Sequence, residues 1–543
     1  MQAVTPEGAT LRASTLTREA LAATGGAALL SALFVWLAPP GVDFAAHVYQ
    51  RAIFLQHGFA VWNNFWYAGR YSFVTYSLLY YPLAAVVGIK VLAVATTAAA
   101  ALVFAVVVLR QWGQEAVWSS RTFAVAWAGV VLTAAFPFAL GAAFALLAIW
   151  ALQGRRLWRF GLFAMLTVAA SPLAFLLLAI VLLGIAIGRR ADRRTMVAAS
   201  VAVGLLGLVE AVLWRLFPDN GTYPFSIWEL LGAYVFCGYG IVLSWRVERL
   251  RLMQFVFPVY AACCTAAFLV PSALGDNVLR VRYVAFPIAV LLVALRGWRP
   301  RLLALTALGL ALSWNVSPLV GSLEASSGDP TASAAFWRPA VTFLHEHLTP
   351  SYRVEAVDTS GHWPAYYLPL ANIPLVRGWW RQGDFPENAI LYGKFGPEAY
   401  MRWLRSLGVR YVVLANAPTD YSSEAEADLL KSGRLPVRVA YSDARLTIYA
   451  VPHPQPIVTG PGPAWIVSMT EEAMTIRVSK PGTYRIAVRA STYWQASRGC
   501  VATGKDKMVR LTAHKPGLVK MTVGVSADKM LDQLTGSKQK PCS

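Results

Sequence analysis

Apolar runs of close to 20 residues recur through the first three-fifths of the chain, separated by short polar connections. They predict eleven membrane helices, near 20–38, 90–109, 122–136, 138–152, 157–170, 172–187, 197–216, 227–245, 253–270, 282–295 and 302–319. The stretch 160–188 is long enough for one helix, but Arg clusters stand at both of its ends and Ser171-Pro172 sits midway. Two short helices with a turn between them resolve that conflict. After about residue 320 the pattern changes. "GSLEASSGDPTASA" reads as a linker, and residues 335–450 alternate helix and strand. Within them "AYMRWLRSLG" predicts a helix closed by Gly408, "VRYVVLAN" a buried strand and "RVAYSDARLTIYAV" a hairpin. Beyond 455, "MTIRV", "GTYRIAVRA", "KMVRLTA" and "LVKMTVGV" read as strands, with Pro-Gly pairs at 481–482 and 516–517. The expected fold is an α-helical polytopic membrane bundle (1–320), then an extracytoplasmic α/β domain (321–452) and a small β-sandwich (453–543).

Composition agrees: 57% of the 543 residues are hydrophobic and only 14% charged, too apolar for a soluble protein. The first apolar run has little charge before it and no clear cleavage site, so it reads as a retained helix. The net charge of +20 is unevenly spread. One set of connections carries Arg110 and Arg121; Arg155, Arg156 and Arg159; Arg189, Arg190, Arg193 and Arg194; Arg246, Arg249 and Arg251; and Arg296, Arg299 and Arg301. The other set is nearly free of Arg. The positive-inside rule makes the Arg-rich set cytoplasmic. With eleven spans the N-terminus is cytoplasmic and everything after about 320 lies outside a cell membrane. The basic bias thus reports topology, not nucleic-acid binding. Cys237, Cys263 and Cys264 fall in spans, whereas Cys500 and Cys542 stand in the outer region, where an oxidising compartment lets them pair.

Just past the first span stands "GVDFAAHVYQR", with Asp43, His47 and Arg51 four residues apart. On a helix that spacing stacks them on one face. They open the longest outer loop, 39–89, which continues into "VWNNFWYAGRY". The plainer reading is an amphipathic helix lying on the outer leaflet with a wetted charged face. The functional reading makes the aromatics sugar-stacking groups. Glu210 lies about two turns from the outer end of its span, facing a cavity or paired with Arg215. "HWPAYYLPLANIPLVRGWWRQGD" is rich in Trp and Tyr and reads as a glycan groove or as a Trp-rich core contact. His345 and His347 point to different helix faces with no third ligand, and "GCVATGK" lacks the spacing of a phosphate loop, so neither carries a metal or nucleotide site.

Several stretches resemble the GT-C class of membrane glycosyltransferases, and an actinobacterial group of large proteins of that type. They are "DFAAH" (43–47), "GFAVWNNFWYAGRYSFVTYSLLYYPL" (58–83), "RVRY" (280–283), "RGWWRQGDFPENAILY" (377–392) and "YWQASRGCV" (493–501) with the closing Cys542. The resemblance covers most of the chain as an architecture, through short motifs. It implies a GT-C-like bundle, and an essential Asp in the first outer loop that matches Asp43. It also implies a polyprenyl-phosphate sugar donor and a cell-envelope glycan or glycolipid acceptor. The chain departs from the many members with two adjacent acidic residues there: Asp43 is followed by Phe44, so no paired-carboxylate motif supports a divalent metal or other cofactor.

An inverting transfer from a lipid phosphate needs one carboxylate, because the leaving group is a stable anion needing no proton donor. The expected roles follow: Asp43 and His47 catalytic; Arg280, Arg282, Arg51 and Arg70 on the donor phosphate; Trp62, Asn63, Trp66, Tyr67, Glu210, Trp379 and Trp380 on sugar or acceptor. The rivals are a non-catalytic glycan-binding scaffold and a transporter. The transporter is disfavoured because nearly every charge clusters at span ends and no half-to-half repeat is visible.

Overall fold

The computed structural model describes residues 13–188, 193–218 and 221–536. Arg189, Arg190 and Cys542, and with it the expected Cys500–Cys542 pairing, lie outside the described residues. The chain forms two compact units: Met1–Gly41, Tyr76–Ala211 and Thr222–Ser327 in the first, and Val42–Thr75, Val212–Gly221 and Gly328–Ser543 in the second. Most of the 39–89 loop thus groups with the C-terminal region.

The first unit is helical. Among the described residues, seven helical segments are long and apolar enough to cross a membrane: Ala13–Leu37, Ile89–Leu132, Phe136–Gln153, Arg194–Leu216, Ile227–Ser244, Gly275–Leu295 and Arg301–Ser326. This is the pattern of a multi-pass membrane protein. The expected count of eleven is not supported, for two reasons. The segments near 90–109 and 122–136 fall largely in Ile89–Leu132, which counts as one candidate: Gly113, at φ +65°, ends the helix Ile89–Trp112, and the helix that follows, Val117–Ala128, has only 12 residues. Leu157–Ala170 and Val256–Leu269 have 14 residues each and Pro172–Gly188 has 17. Fourteen residues rise only about 21 Å, short of the roughly 30 Å hydrocarbon layer. The break inside 160–188 is present: Ser171 is extended, ending one helix before Pro172 begins the next.

Close packing joins these helices. A Cβ on Gly184 would lie 2.6 Å from the Val256 Cα, so only glycine permits that approach. Glu19 and Arg121 make a two-pronged ion pair at 2.9 and 3.0 Å. Arg194–Leu216 is the least buried span, with Leu205, Leu208 and Val209 exposed, as suits side chains that face lipid.

In the second unit a helix, Phe44–His57, leads into a two-residue hairpin, β1 (Trp62–Asn63) and β2 (Arg70–Tyr71). The α/β sheet has β3 (Arg353–Ala356), β4 (Val409–Ala415), β5 (Arg438–Ser442) and β6 (Leu446–Ala450), in the order β3-β4-β6-β5. β3 and β4 are parallel, and β5–β6 is the hairpin expected from "RVAYSDARLTIYAV". Leu375 adds a parallel bridge to Val354, on the far side of β3 from β4. The helix Pro397–Ser406 precedes β4, and Gly408 takes the left-handed φ of +79° that the turn between them requires.

The β-sandwich follows as β7 (Val458–Thr459), β8 (Ala464–Met469), β9 (Ala473–Val478), β10 (Gly482–Arg489), β11 (Trp494–Ala496), β12 (Cys500–Thr503), β13 (Met508–Ala513) and β14 (Gly517–Val523). Its sheets run β12-β13-β10-β7 and β11-β14-β9-β8. Gly482 and Gly517, from the two Pro-Gly pairs, open β10 and β14 at φ +136° and +133°. Trp62 and Tyr71 of the hairpin join the sandwich core beside Trp494 and Tyr493.

Candidate functional site

Asp43 stands at the N-cap position of the Phe44–His57 helix, and its carbonyl accepts from the His47 N–H at 3.4 Å. The face carrying Asp43, His47 and Arg51 is not the wetted face of the plainer reading: His47 is fully buried, and Asp43 and Arg51 are half-buried. Arg51 lies near Tyr366, where burial raises the phenol's pKa and the Arg51 charge opposes that rise. Val42, just before Asp43, accepts a hydrogen bond from the Trp379 indole at 3.1 Å.

Trp62, Asn63, Trp66 and Tyr67 are 3% exposed or less, so in this fold they are core side chains and offer no open face to a sugar. Their polar atoms are used internally: Trp62 on Asn64, Asn63 on Tyr49, Trp66 on the Ala365 carbonyl and Tyr67 on the Trp380 carbonyl. Trp380 is likewise buried. Arg70 stacks over the Tyr67 and Trp380 rings and donates to its neighbour's carbonyl, so it too is part of this packing. Only Trp379, among the expected sugar-binding aromatics, is partly open.

In the first unit Arg280 lies 5.5 Å from the Phe138 ring and bonds to Asn277. Arg282 points elsewhere, to Glu229 at 3.8 Å. Glu210 sits half-buried on the Arg194–Leu216 helix, outside the cavity described next.

That cavity, of about 640 Å³, lies within the first unit. It follows one face of the Phe136–Gln153 helix, touching Phe138, Ala142, Ala145, Leu146, Ile149 and Gln153. The sixteen residues from Phe138 to Gln153 span about 22 Å of helix, so the cavity is long. Leu178, Phe236, Phe257 and Tyr260 complete an apolar wall. Its charged groups sit toward the extremes of that helix: Arg280 beside Phe138, and Arg110 and Arg155 lining it with Gln153.

A cluster that sequence reasoning missed sits at the carboxyl ends of β3 and β4. Arg377 holds Asp384 by two bonds of 3.1 and 2.7 Å, and also reaches Ser422 and Ser423. Arg381 reaches Asp358 at 3.2 Å and Asp420 at 2.5 Å, and lies over the Tyr421 ring. His362 Nδ1 is 2.8 Å from Asp358, its Nε2 faces Asp420 at 4.0 Å, and its ring meets Trp379 edge-on. Burial opposes the Asp358 charge, but His362, Arg381 and Arg377 outweigh it and bring the pKa to about 2. The stretch "HWPAYYLPLANIPLVRGWWRQGD", read as a glycan groove or a core contact, carries His362, Arg377, Arg381 and Asp384, but nothing in it signalled Asp358 before it or Asp420, Ser422 and Ser423 in the loop after β4.

Behind it, Glu355 and Glu426 are both fully buried. Burial, with mutual repulsion, pushes Glu355 well above the carboxylate range, and burial raises Glu426 to about 7, against the pull of Arg377 and a bond from Tyr400. A folded pKa above the unfolded one means that stability is fully present below about 4.5 and is lost as pH rises through about 7. Glu426→Gln mimics the neutral acid. It should leave stability nearly unchanged at pH 4 and raise it by on the order of 3 kcal/mol at pH 8. Thermal unfolding at the two pH values checks this, and equal effects at both contradict it.

Among the described residues no group of three or more His, Cys, Asp or Glu is placed to hold a metal ion. His345 and His347 each bond a backbone carbonyl, of Ala371 and Phe343.

No protein-family profile matches the chain, and no curated protein does. Solved structures do. The cryo-EM structure of the arabinofuranosyltransferase AftD from Mycobacteria is 14% identical, with a TM-score of 0.46 over 95% of this chain and 40% of that one. A mutant form of the same enzyme is 16% identical, with a TM-score of 0.45 over 96% of this chain and 42% of that one. The likeness is distant, and this chain spans about two-fifths of the length of those structures.

Proposed function

We propose that the protein is a membrane glycosyltransferase that moves a sugar from a polyprenyl-phosphate donor to a cell-envelope glycan or glycolipid. The observation that carries this reading is the long apolar cavity with Arg280 at one extreme. A polyprenyl chain is a flexible hydrocarbon that suits an apolar wall, and a guanidinium suits its phosphate. The Arg110, Arg155 and Gln153 extreme belongs to the Arg-rich, cytoplasmic set of connections. The positive-inside rule thus favours an outer position for the Arg280 extreme, the side on which the proposed lipid-phosphate sugar would be used.

In this reaction the acceptor hydroxyl oxygen attacks the anomeric carbon from the face opposite the phosphate, inverting it. The bond from that carbon to the phosphate oxygen breaks, and the electron pair leaves with the lipid phosphate. The acceptor proton goes to a carboxylate base, the role proposed for Asp43, with His47 on the same helix face. The growing negative charge of the phosphate calls for a guanidinium, the role proposed for Arg280 in the cavity wall.

Arg280→Ala should weaken binding of polyprenyl phosphate about ten- to a hundredfold, by loss of a charge-assisted contact. Arg282→Ala, with its guanidinium turned to Glu229, should weaken it less. Titration of purified protein in nanodiscs with polyprenyl phosphate compares the two; a larger loss in Arg282→Ala contradicts the reading. The Cys500–Cys542 disulfide belongs to the same proposal, since it needs an oxidising compartment. Non-reducing intact mass should fall about two daltons below the reduced value. Closing that loop would add about 4 kcal/mol to stability.

A further inference from the structure

The cluster around His362 has the position of a ligand site in an α/β sheet. Three parallel segments lie side by side: the one through Leu375, then β3, then β4. From β3 the chain goes first to the Leu375 side, then crosses back to form β4 on the other side. The connections leaving the carboxyl ends of β3 and β4 therefore go to opposite sides, and the space between those ends is a topological switch point, where such sheets form a ligand crevice. Asp358 and His362 stand on the loop after β3, and Asp420 and Tyr421 on the loop after β4. Trp379 and Arg381 come from the loop after Leu375.

Two features go beyond what folding needs. Asp358 is buried, yet its Oδ1 has no hydrogen-bond partner among the described residues, while its Oδ2 serves both His362 and Arg381. His362 holds a left-handed φ of +58°, a strained conformation for a residue with a Cβ. At the rim, Tyr421 is 61% exposed and Trp379 partly so, and both flank the charged floor.

The chemistry selects the ligand class. Arg381 is already shared by two carboxylates and Arg377 is held by Asp384, so among the described residues both guanidiniums of the cluster are engaged by carboxylates. A neutral polyol suits it: carboxylate oxygens accept from hydroxyls, and aromatic faces cover the C–H side of a sugar ring. We propose that this crevice is a second carbohydrate-binding subsite, which holds a stretch of the neutral acceptor glycan. Its link to transfer rests on the glycosyltransferase reading, but its binding does not.

The test uses full-length protein in nanodiscs, with neutral hexasaccharides of arabinan, galactan and mannan type as probes and inorganic phosphate as a fourth. Binding is read by saturation-transfer NMR and tryptophan fluorescence. One hexasaccharide should bind, and Tyr421→Ala and Asp420→Asn should each weaken it about tenfold or more. Tyr421→Ala changes an exposed ring, so it keeps the test readable if Asp420→Asn misfolds. Hexasaccharide binding by protein that shows no sugar transfer supports this subsite and counts only against the glycosyltransferase reading. The proposal is overturned if no hexasaccharide binds, if Tyr421→Ala leaves binding intact, or if phosphate binds in place of sugar.

Discussion

Asp43→Asn is expected to lower sugar transfer on the order of 100- to 10,000-fold, the usual cost of removing a general base. Asparagine keeps the size and the hydrogen bonding of the side chain but cannot take the acceptor proton. Donor binding should stay close to the parent value, because the cavity and Arg280 belong to the helical unit, whereas Asp43 belongs to the other. The split matters: a collapse of binding together with rate would report a folding defect. Transfer by purified Asp43→Asn, measured beside donor binding, decides the point. Transfer at the parent rate makes Asp43 only a helix cap and moves the scaffold reading ahead.

The largest expected effect on stability is at Arg377. This guanidinium is 3% exposed and donates to both oxygens of Asp384 and to two serine hydroxyls. Arg377→Met leaves Asp384 buried, with only Asn388 and Tyr392 for partners. Removing one member of a buried pair costs roughly 3–5 kcal/mol. The α/β domain should therefore melt well below the parent. Removing the second charge as well, in Arg377→Met with Asp384→Leu, should recover much of the loss, since the penalty comes from an uncompensated buried charge. Unfolding followed by tryptophan fluorescence measures both. A single variant that melts with the parent contradicts the account of the network.

Local pattern carried much of the fold. The β5–β6 hairpin, the Pro-Gly openings of β10 and β14, and the break at Ser171-Pro172 each depend on a few neighbouring residues, and each was legible. Helix lengths were not, because apolar composition does not show where a helix ends: Val256–Leu269 is 14 residues inside a longer apolar run. The aromatic run 62–71 was ambiguous for a different reason. A membrane-interface belt, a sugar platform and a buried core ask for the same residues, and only tertiary packing shows Trp62 in the sandwich core. The crevice was least legible of all, since Asp358, Arg381 and Asp420 meet only when three parallel segments align. For the candidate catalytic face, spacing placed Asp43, His47 and Arg51 on one side of a helix, but it could not show that His47 is buried.

The central claim is that the cavity beside the Phe136–Gln153 helix holds a polyprenyl phosphate, and photolabelling with a light-activated short-chain polyprenyl phosphate tests it most directly. Labelled peptides should come from the segments that line the cavity, around Phe104–Trp112, Phe138–Gln153 and Leu177–Ile185. Excess unlabelled polyprenyl phosphate should suppress the label, and Arg280→Ala should reduce it. Label confined to the exposed helix Arg194–Leu216, indifferent to competitor and to Arg280→Ala, would show only bulk-lipid contact and contradict the account.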